Sequence, residues 1–432
     1  MLSPKKSSPY STLKKMKRMS QKVFDYRQLR RSAKSPIFSV VSFAVIFFII
    51  YADNIVFNLP MHPVDLRIRE LLDYHNTELP QEQIDKKVNE VAEEISDPLL
   101  PPDNVTKNER LMWFRRKLPE LEILKSNNLA KQFHGRVLEF LNHRCSVQFY
   151  MIWFSPATSF GKREFLAVDS LFNSNPKACL MILSKSMDSG RGYRIMKPIL
   201  DRGFKVLTLT PDLPFLLKNT PGEVWLEELK SGKLDPGYIP LSQNLANLVR
   251  LAMLYKYGGI YLDTDLILLK DFSALRNAIG AQSLDSENKN ANMLNNAVMA
   301  YDISHPVLLD FLDEFASTFN GNKWGHNGPY LVTRVIGRLG RSAGSVDYNL
   351  TILPPKAFYP VHWNQIRVLF RKPRKGSELR WVESMLKELN DGDTYALHLW
   401  NKRSRDLAIE EGSVMARLVL DNCAVCPSIS NP

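Results

Sequence analysis

From Val147 onward, the chain alternates short apolar runs with stretches of helical spacing. The apolar runs are VQFYMIWF, ACLMILS and FKVLTLT, and the stretches between them, KREFLAVDSLFNSNP and YRIMKPILDRG, end at the helix stops Asn175-Pro176 and Gly203. This alternation predicts an α/β fold with a mostly parallel sheet flanked by helices. Because such sheets bind ligands beyond the carboxyl ends of their strands, we expect functional residues to follow strands.

Two carboxylates interrupt an apolar run in the segment LYKYGGIYLDTDLILLK, residues 254–270. Asp263 and Asp265 lie where a strand should bury its side chains, and a buried carboxylate needs a cation or strong hydrogen-bond donors. Carboxylate oxygens suit Mn²⁺ or Mg²⁺, and such an ion would also hold the diphosphate of a nucleotide as a leaving group. The alternative is a turn in which both side chains face water, because a DxD sequence alone is common.

The segment SQNLANLVRLAMLYKYGG predicts a helix that ends at Gly258-Gly259, directly before this pair. Gln243, Asn247 and Arg250 follow one another at positions i, i+4 and i+7, so they form a polar stripe on the helix. A solvated helix face explains this stripe as well as a ligand site does.

The net charge of +12 is concentrated in residues 1–36, which hold eleven Lys or Arg and one acid, so the rest of the chain is nearly neutral. This distribution argues against a nucleic-acid-binding domain and against nucleic acid as a partner. The chain also lacks GxGxxG and GxxxxGK[ST] sequences, which removes the usual dinucleotide and P-loop classes of protein.

Residues 37–57 form an apolar stretch that covers roughly 30 Å as a helix, enough to cross a bilayer. A cleaved signal peptide is the alternative, but the preceding segment is too long and no small-x-small site ends the stretch. Because the basic residues precede the stretch, the positive-inside rule predicts a type II single-pass protein. The tail would lie in the cytosol and the remainder in a lumen.

After the predicted anchor, residues 58–146 are rich in charge and proline and predict a stem, while residues 147–427 hold the catalytic or binding domain. Sequons at Asn104 and Asn349 agree with a lumenal body and predict N-glycosylation.

The four cysteines predict two disulfides in an oxidising lumen, without fixing how they pair. They are Cys145, Cys179, Cys423 and Cys426. The sequence CAVC leaves a zinc site or a redox pair as alternatives.

The block SQNLANLVRLAMLYKYGGIYLDTDLILLK resembles the signature of the α1,4-galactosyltransferase and α1,4-N-acetylglucosaminyltransferase group of glycosyltransferase family 32, the family of globotriaosylceramide synthase. Upstream, WFSPATSFGKREFLAVDSLFNSNPKACLMILS resembles another block of this family, as NNAVMAYDISHPVLLDFLDEF, GHNGPYLVTRV and ALHLWNKRSR do downstream. The resemblance extends over roughly residues 147–426. The wording of SPATSFGKREFL and CLMILSKSMDS is similar to that of plant α1,4-glycosyltransferase family proteins.

This resemblance implies a GT-A fold, a Rossmann-like catalytic domain that binds an activated sugar with Mn²⁺ or Mg²⁺ and transfers it with retention at the anomeric carbon. It implies UDP-galactose or UDP-N-acetylglucosamine as donor, with GDP-mannose as an alternative, and a glycan or glycolipid acceptor. The implied location is the Golgi membrane, with the catalytic domain in the lumen. A membrane-anchored glycan-binding or scaffold protein that has lost activity is the alternative from another class.

Carried over by position, the resemblance places Asp263 against the donor ribose and the metal, and makes Asp265 a direct metal ligand. It favours His398 as a third ligand, although a histidine in an apolar run is otherwise more often a core residue. Asp263 and Asp265 are also predicted to be catalytic, together with Asn327. The loop WGHNGPYLVTR borders the acceptor in this family, and its glycines predict that His326 and Asn327 are exposed.

The resemblance assigns donor binding to four further residues, which are Asn247, Arg250, Tyr261 and Asn296. The family usually has Asp where this chain has Asn247, and this departure weakens a charged contact and motivates the inactive alternative. Asn295 and Asn296 precede an apolar strand, where a helix cap or a turn would explain them equally well.

Overall fold

A seven-stranded mixed sheet and a two-stranded sheet organise the part of the chain that the computed structural model describes, residues 97, 99–287, 290–340 and 348–426. The strands are β1 (Gln148–Ile152), β2 (Cys179–Leu183), β3 (Lys205–Leu209), β4 (Gly259–Leu262), β5 (Leu266–Leu268), β6 (Ala278–Leu284), β7 (Ala291–Tyr301), β8 (Thr351–Leu353) and β9 (Ala396–His398). The basic tail and the transmembrane helix that the sequence predicts lie outside the described residues. Within the described ranges, no helix combines the length and the apolar character that a membrane crossing requires.

Helices cover both faces of the large sheet. They are α1 (Lys107–Lys117), α2 (Asn128–Lys131), α3 (Phe133–Leu141), α4 (Lys162–Ser174), α5 (Gly190–Leu200), α6 (Leu213–Leu217), α7 (Pro221–Lys230), α8 (Leu241–Tyr257), α9 (Pro306–Thr318), α10 (Pro329–Leu339), α11 (Gly376–Asp391), α12 (Asn401–Ser404) and α13 (Val414–Asp421). Short 3₁₀ turns add Glu122–Leu124, Ala157–Ser159, Pro355–Ala357 and Ile366–Phe370.

The large sheet has the spatial order β3-β2-β1-β4-β7-β6-β8. The pairs from β3 to β4 and the β6–β8 pair are parallel, while β7 is antiparallel to both of its neighbours. The expectation of a mostly parallel sheet flanked by helices is therefore confirmed. The chain moves outward from β1 to β3 and then returns to place β4 on the other side of β1, so the strand order reverses between β1 and β4. Open sheets bind ligands at such a reversal, and Asp263 directly follows β4.

Side chains of β1 alternate between two hydrophobic cores, as the period of two in a strand requires. Tyr150 and Ile152 pack in the core that includes α8, whereas Phe149 and Met151 pack in the core that includes α4. Because both faces are covered, the strand is apolar throughout rather than alternating with polar residues.

Part of the segment that the sequence predicts as a stem packs into the first of these cores. Phe114 of α1 and Phe133 and Val137 of α3 are fully buried in the same cluster as Tyr150. The apolar residues of α1 stand among five Lys or Arg in KNERLMWFRRK, which is why the composition of this segment predicts a stem. From Leu99 onward, this segment is folded with the sheet.

Two disulfides join the four cysteines. Cys145 pairs with Cys179, which ties the residues before β1 to the start of β2, and Cys423 pairs with Cys426. The CAVC sequence thus forms a disulfide and not a zinc site in this structure. Asn104 and Asn349 of the two sequons are both exposed.

Candidate active site

Two glycines bring the carboxylate pair to the edge of the sheet. Helix α8 ends at Gly258, and both Gly258 and Gly259 have positive φ, at 63° and 102°. A Cβ on Gly259 would lie 2.8 Å from the carbonyl oxygen of Gln148, so only glycine lets β4 begin this close to β1. Asp263 follows β4 at once, and its backbone N–H donates to the carbonyl of Ala297 in β7, at 2.8 Å.

Asp263 lies between a buried cation and the surface. Its Oδ1 accepts a hydrogen bond from the hydroxyl of Tyr261 at 2.7 Å and lies 3.1 Å from Nη1 of Arg250. The guanidinium of Arg250 stacks on the Tyr261 ring at 4.2 Å and donates to the carbonyl of Asn296 at 2.7 Å. The Arg250 side chain is 6% exposed and that of Asp263 30% exposed, so the carboxylate is the part of the pair that a ligand reaches.

Burial raises the pKa of the Asp263 carboxyl, the guanidinium of Arg250 lowers it, and the negative charge of Asp265 raises it again, with a net upward direction. The upward direction means that the positive charge of Arg250 does not fully offset burial and the charge of Asp265. A further cation beside them is electrostatically favourable.

Asp265 faces the C-terminal part of the chain. Strand β5 pairs with β9 so that Leu266 lies opposite His398, and Nε2 of His398 lies 3.3 Å from Oδ1 of Asp265. The other carboxylate oxygen accepts the backbone N–H of Asn401 at 2.8 Å. Asp265 and His398 are both buried.

One ligand atom from each of Asp263, Asp265 and His398 can be chosen so that all three atoms lie within 4.8 Å of one another. Two carboxylates and an imidazole at this spacing fit a single divalent ion such as Mn²⁺, which accepts both oxygen and nitrogen ligands. The structure thus brings together the three residues that the sequence predicts as metal ligands.

The ring of His398 is held by its neighbours. The backbone N–H of Trp400 donates to Nδ1 at 3.2 Å, and the Trp400 and Tyr359 rings pack against the imidazole. With Nδ1 as acceptor, the proton of a neutral ring is on Nε2 and points at Asp265. A cation at Nε2 requires this proton to move to Nδ1 and the Trp400 contact to open. Trp400 has the left-handed angles φ 54° and ψ 59°, which are costly for a bulky residue.

Buried amides line the side of the site next to Arg250. Nδ2 of Asn296 donates to Oδ1 of Asn247 at 3.0 Å, and Asn295 donates to Gln282 at 2.8 Å. Both Asn295 and Asn296 lie inside β7, so they form neither a helix cap nor a turn. Asn247 and Arg250 are buried, and the polar stripe on α8 is therefore not a solvated face.

The expectation that Asn327 is exposed was wrong. Its side-chain amide is hydrogen-bonded to Asn320 in the same loop, residues 320–328, and to Asn244 of α8. Its Nδ2 donates to Oδ1 of Asn244 at 2.9 Å and to the carbonyl of Asn320, and its Oδ1 accepts the N–H of Asn320. It is 4% exposed. Asn327 thus positions the loop against α8, and His326 beside it is partly buried, with burial lowering its pKa.

Sequence reasoning missed two groups of this site. Asn244 lies one helical turn before Asn247 on α8, and that spacing was a usable signal. The second group is the backbone N–H of Asn401, which donates to Asp265. The sequence contains no signal for this bond, because a main-chain donor does not depend on residue type.

Comparisons with known proteins agree with this geometry. Residues 161–285 match the glycosyltransferase sugar-binding region containing the DXD motif, and residues 300–430 match the alpha 1,4-glycosyltransferase conserved region. The lactosylceramide 4-alpha-galactosyltransferase of Mus musculus is 33% identical over 61% of this chain and 69% of its own length. The alpha-1,4-N-acetylglucosaminyltransferase of Homo sapiens is 27% identical over 45% of this chain and 52% of that protein.

A third relative, a protein of Arabidopsis thaliana described as uncharacterized, is 32% identical over 67% of this chain, and the match spans 44% of that relative's length. The two matched regions together contain the candidate metal ligands, with Asp263 and Asp265 in the first and His398 in the second. The resemblance found in the sequence is thereby confirmed: the chain belongs to the α1,4-glycosyltransferase family that includes lactosylceramide 4-alpha-galactosyltransferase.

Proposed function

We propose that this protein is a metal-dependent retaining hexosyltransferase of the GT-A fold, which moves galactose or N-acetylglucosamine from a UDP-sugar to a glycan or glycolipid acceptor in an α1,4 linkage. The observation that carries the proposal is the cluster of Asp263, Asp265 and His398 at the carboxyl end of β4, where the strand order reverses. The mouse relative, a galactosyltransferase, and the human relative, an N-acetylglucosaminyltransferase, support the choice of sugar.

The three ligand residues would hold Mn²⁺ or Mg²⁺. Bound there, the ion would supply positive charge to the diphosphate of the donor and so make it a better leaving group. Side chains of the protein would bind and orient the donor.

Arg250 is fixed by three contacts before any ligand arrives, to the carbonyls of Ala246 and Asn296 and to Asp263. A charge that is already held in place does not have to reorient during the reaction. Such preorganisation is a main source of electrostatic stabilisation in enzymes. Arg250 would therefore stabilise negative charge on the donor and hold Asp263 in orientation. The neighbouring amides of Asn247 and Asn296 are suited to hydroxyls of a neutral sugar.

Retention follows from attack on the same face that the diphosphate leaves. In this route, the acceptor oxygen bonds to the anomeric carbon as the bond from that carbon to the diphosphate oxygen breaks. The acceptor proton passes to an oxygen of the departing diphosphate. The alternative route needs a second carboxylate as nucleophile at glycosidase-like spacing, and the sequence shows no pair suited to it.

We also propose that the protein acts in the Golgi lumen. The basic residues before the apolar stretch of residues 37–57 support a type II anchor, with residues after it in the Golgi lumen.

The test uses the full-length protein in detergent with UDP-galactose, UDP-N-acetylglucosamine and GDP-mannose in turn, and measures nucleotide release with Mn²⁺ and with EDTA. We expect release from one UDP-sugar, its loss in EDTA, and its loss in Asp265→Asn at unchanged melting temperature. Asp271→Asn is the matched control, since Asp271 is an exposed carboxylate a few residues away. Full turnover by Asp265→Asn would remove the metal cluster from the mechanism, and release from GDP-mannose alone would change the donor.

A further inference from the structure

An exposed tryptophan lies on the loop of residues 320–328, beside the candidate active site. Trp324 is 47% exposed, and Nζ of Lys402 lies 3.4 Å from the centre of its indole ring. The ammonium covers one face of the ring, and 47% of the residue is still exposed, so solvent reaches part of the remaining ring surface. A single exposed apolar residue is common and does not by itself indicate a binding site, so a role for Trp324 has to follow from its position.

On one side, the loop packs against the amides of Asn247 and Asn296, which line the donor side of the site. Gly328 lies so close to them that an added Cβ would be 3.1 Å from Oδ1 of Asn247. The buried Asn327 bonds to Asn244 of the same helix, and the carbonyl of Gly321 accepts the N–H of Ile239 at 2.8 Å. The loop is therefore held at both ends.

On the other side, Trp324 is tied to the metal ligands through Lys402. Lys402 is the second residue of α12, and the backbone N–H of the first, Asn401, bonds to Asp265. The indole ring thus lies between two sides of the site. Its loop contacts the donor-side amides, and its cation, Lys402, directly follows the residue that bonds to Asp265.

Resting on the proposed function, we propose that Trp324 is the platform on which the acceptor sugar stacks and that Lys402 is the residue that positions its ring. The exposed part of the indole is a rigid apolar surface, which suits the C–H face of a pyranose ring, and the cation–π contact holds the indole in one orientation before the acceptor binds. The acceptor class is a neutral glycoside with one apolar ring face.

Trp363 provides a matched comparison within the same protein. It is 38% exposed, the guanidinium of Arg403 on α12 lies 4.9 Å from its ring centre, and the His362 ring lies beside it at 5.1 Å, tilted by 41°. If a cation over an exposed tryptophan were only a way to stabilise the surface, both rings would respond alike to substitution. Trp324 alone is on the loop that carries Asn327 and Gly328.

The experiment compares full-length wild type, Trp324→Ala, Trp324→Phe and Trp363→Ala in three measurements. These are UDP-sugar hydrolysis without acceptor, melting temperature, and transfer to methyl β-galactoside, methyl β-glucoside and octyl β-lactoside. For the best glycoside, we expect Trp324→Ala to raise the acceptor KM about tenfold or more, with donor hydrolysis and melting temperature unchanged. Trp324→Phe should recover part of this loss, and Trp363→Ala should match wild type throughout.

Lys402 is tested as a positioning residue by two substitutions. Lys402→Met should raise the acceptor KM about threefold, whereas Lys402→Arg, which keeps a cation over the ring, should restore it. A purely structural role of the side chain would lower melting temperature in Lys402→Met and leave the acceptor KM unchanged.

Three results would overturn this inference. They are an unchanged acceptor KM in Trp324→Ala, an equal loss of donor hydrolysis in that variant, and wild-type enzyme that hydrolyses the donor but transfers to none of the glycosides. The proposed function fails in a different way, through wild-type enzyme that neither hydrolyses nor transfers any nucleotide sugar.

Discussion

The guanidinium of Arg250 lies 3.1 Å from the carboxylate of Asp263, and it is the more buried member of the pair. Such a cation cannot turn away to water, and it also stacks on Tyr261, which donates to the same carboxylate oxygen. The three side chains form one unit that fixes the direction of Asp263. Removing the charge of Arg250 would leave a partly buried carboxylate without its counter-ion.

Arg250→Lys tests this unit while it keeps the charge. Lysine lacks the planar fork that reaches the carbonyl of Asn296 and the carboxylate together, and it stacks less well on tyrosine. We expect a fall in kcat/KM for the donor of about a hundredfold or more, since a preorganised donor group is lost. Arg276→Lys, at an exposed ion pair with Asp302, should leave the same kinetics unchanged. Equal kinetics in both variants would contradict the role of Arg250.

Asp169→Asn tests how the C-terminal disulfide loop is held. The buried carboxylate of Asp169 accepts backbone N–H groups of Ala424, Val425 and Cys426, at 2.9, 2.7 and 3.3 Å. An amide has one acceptor oxygen and one donor group, so at least one of these N–H groups would meet another donor. We expect a loss of about 1–3 kcal/mol of stability in urea unfolding.

The control for this substitution is Asp201→Asn, an exposed carboxylate that pairs with Lys197 on a helix surface. It should change stability by about 0.5 kcal/mol or less. If Asp169→Asn unfolds at the same urea concentration as wild type, the buried carboxylate does not hold the loop.

Glu314 should make stability depend on pH in the acid range. Burial raises its pKa, but hydrogen bonds from Arg334 and Arg338 outweigh this effect and lower the pKa below its ordinary value of 4.5. A carboxyl group whose pKa is lower in the folded than in the unfolded protein stabilises the fold at pH values above its unfolded pKa. This stabilisation is lost as the pH falls through the pKa of the folded state.

We therefore expect Glu314→Gln to be less stable than wild type near neutral pH, by about 1 kcal/mol or more, and the difference to shrink below pH ~4. Urea unfolding at several pH values measures it. Glu383→Gln, at an exposed residue of α11, should show no such trend. A difference that grows as pH falls would reverse the sign of the argument.

N-glycosylation tests the proposed lumenal location. Asn104 and Asn349 are both exposed, so an oligosaccharide at either one meets no packed surface. We expect treatment with an N-glycosidase to lower the apparent mass of the expressed protein, with Asn104→Gln and Asn349→Gln each removing one step of that shift. A protein that never carries N-glycans in a eukaryotic cell would argue against the lumenal location.

Local patterns predicted those features that depend on residue type along a short stretch of chain. The apolar runs and helix stops located β1 to β3, and the glycine pair before Asp263 located the end of α8. The proximity of His398 to Asp265 came from the family resemblance, since the two strands that bring them together are far apart in sequence.

The rest depended on contacts that sequence patterns do not record. Asn327 binds the side chain of Asn244 and Asp169 binds backbone N–H groups near the C-terminus, and both partners are far away in sequence. In the sequence, an amide or a carboxylate looks the same whether it is exposed or buried. The packing of Phe114 and Phe133 was hidden because charged residues surround them in sequence while the helix points them inward.

The pairing of β5 with β9 has a consequence for biosynthesis. Asp263 and Asp265 leave the ribosome long before His398 and Asn401, which complete the cluster. Because β9 is synthesised after β1 to β8, the sheet from β1 to β4 can fold during translation before all residues of the proposed ion site are present. Under the proposed mechanism, a premature stop ahead of β9 would yield a protein that retains β1 to β8 and has no activity.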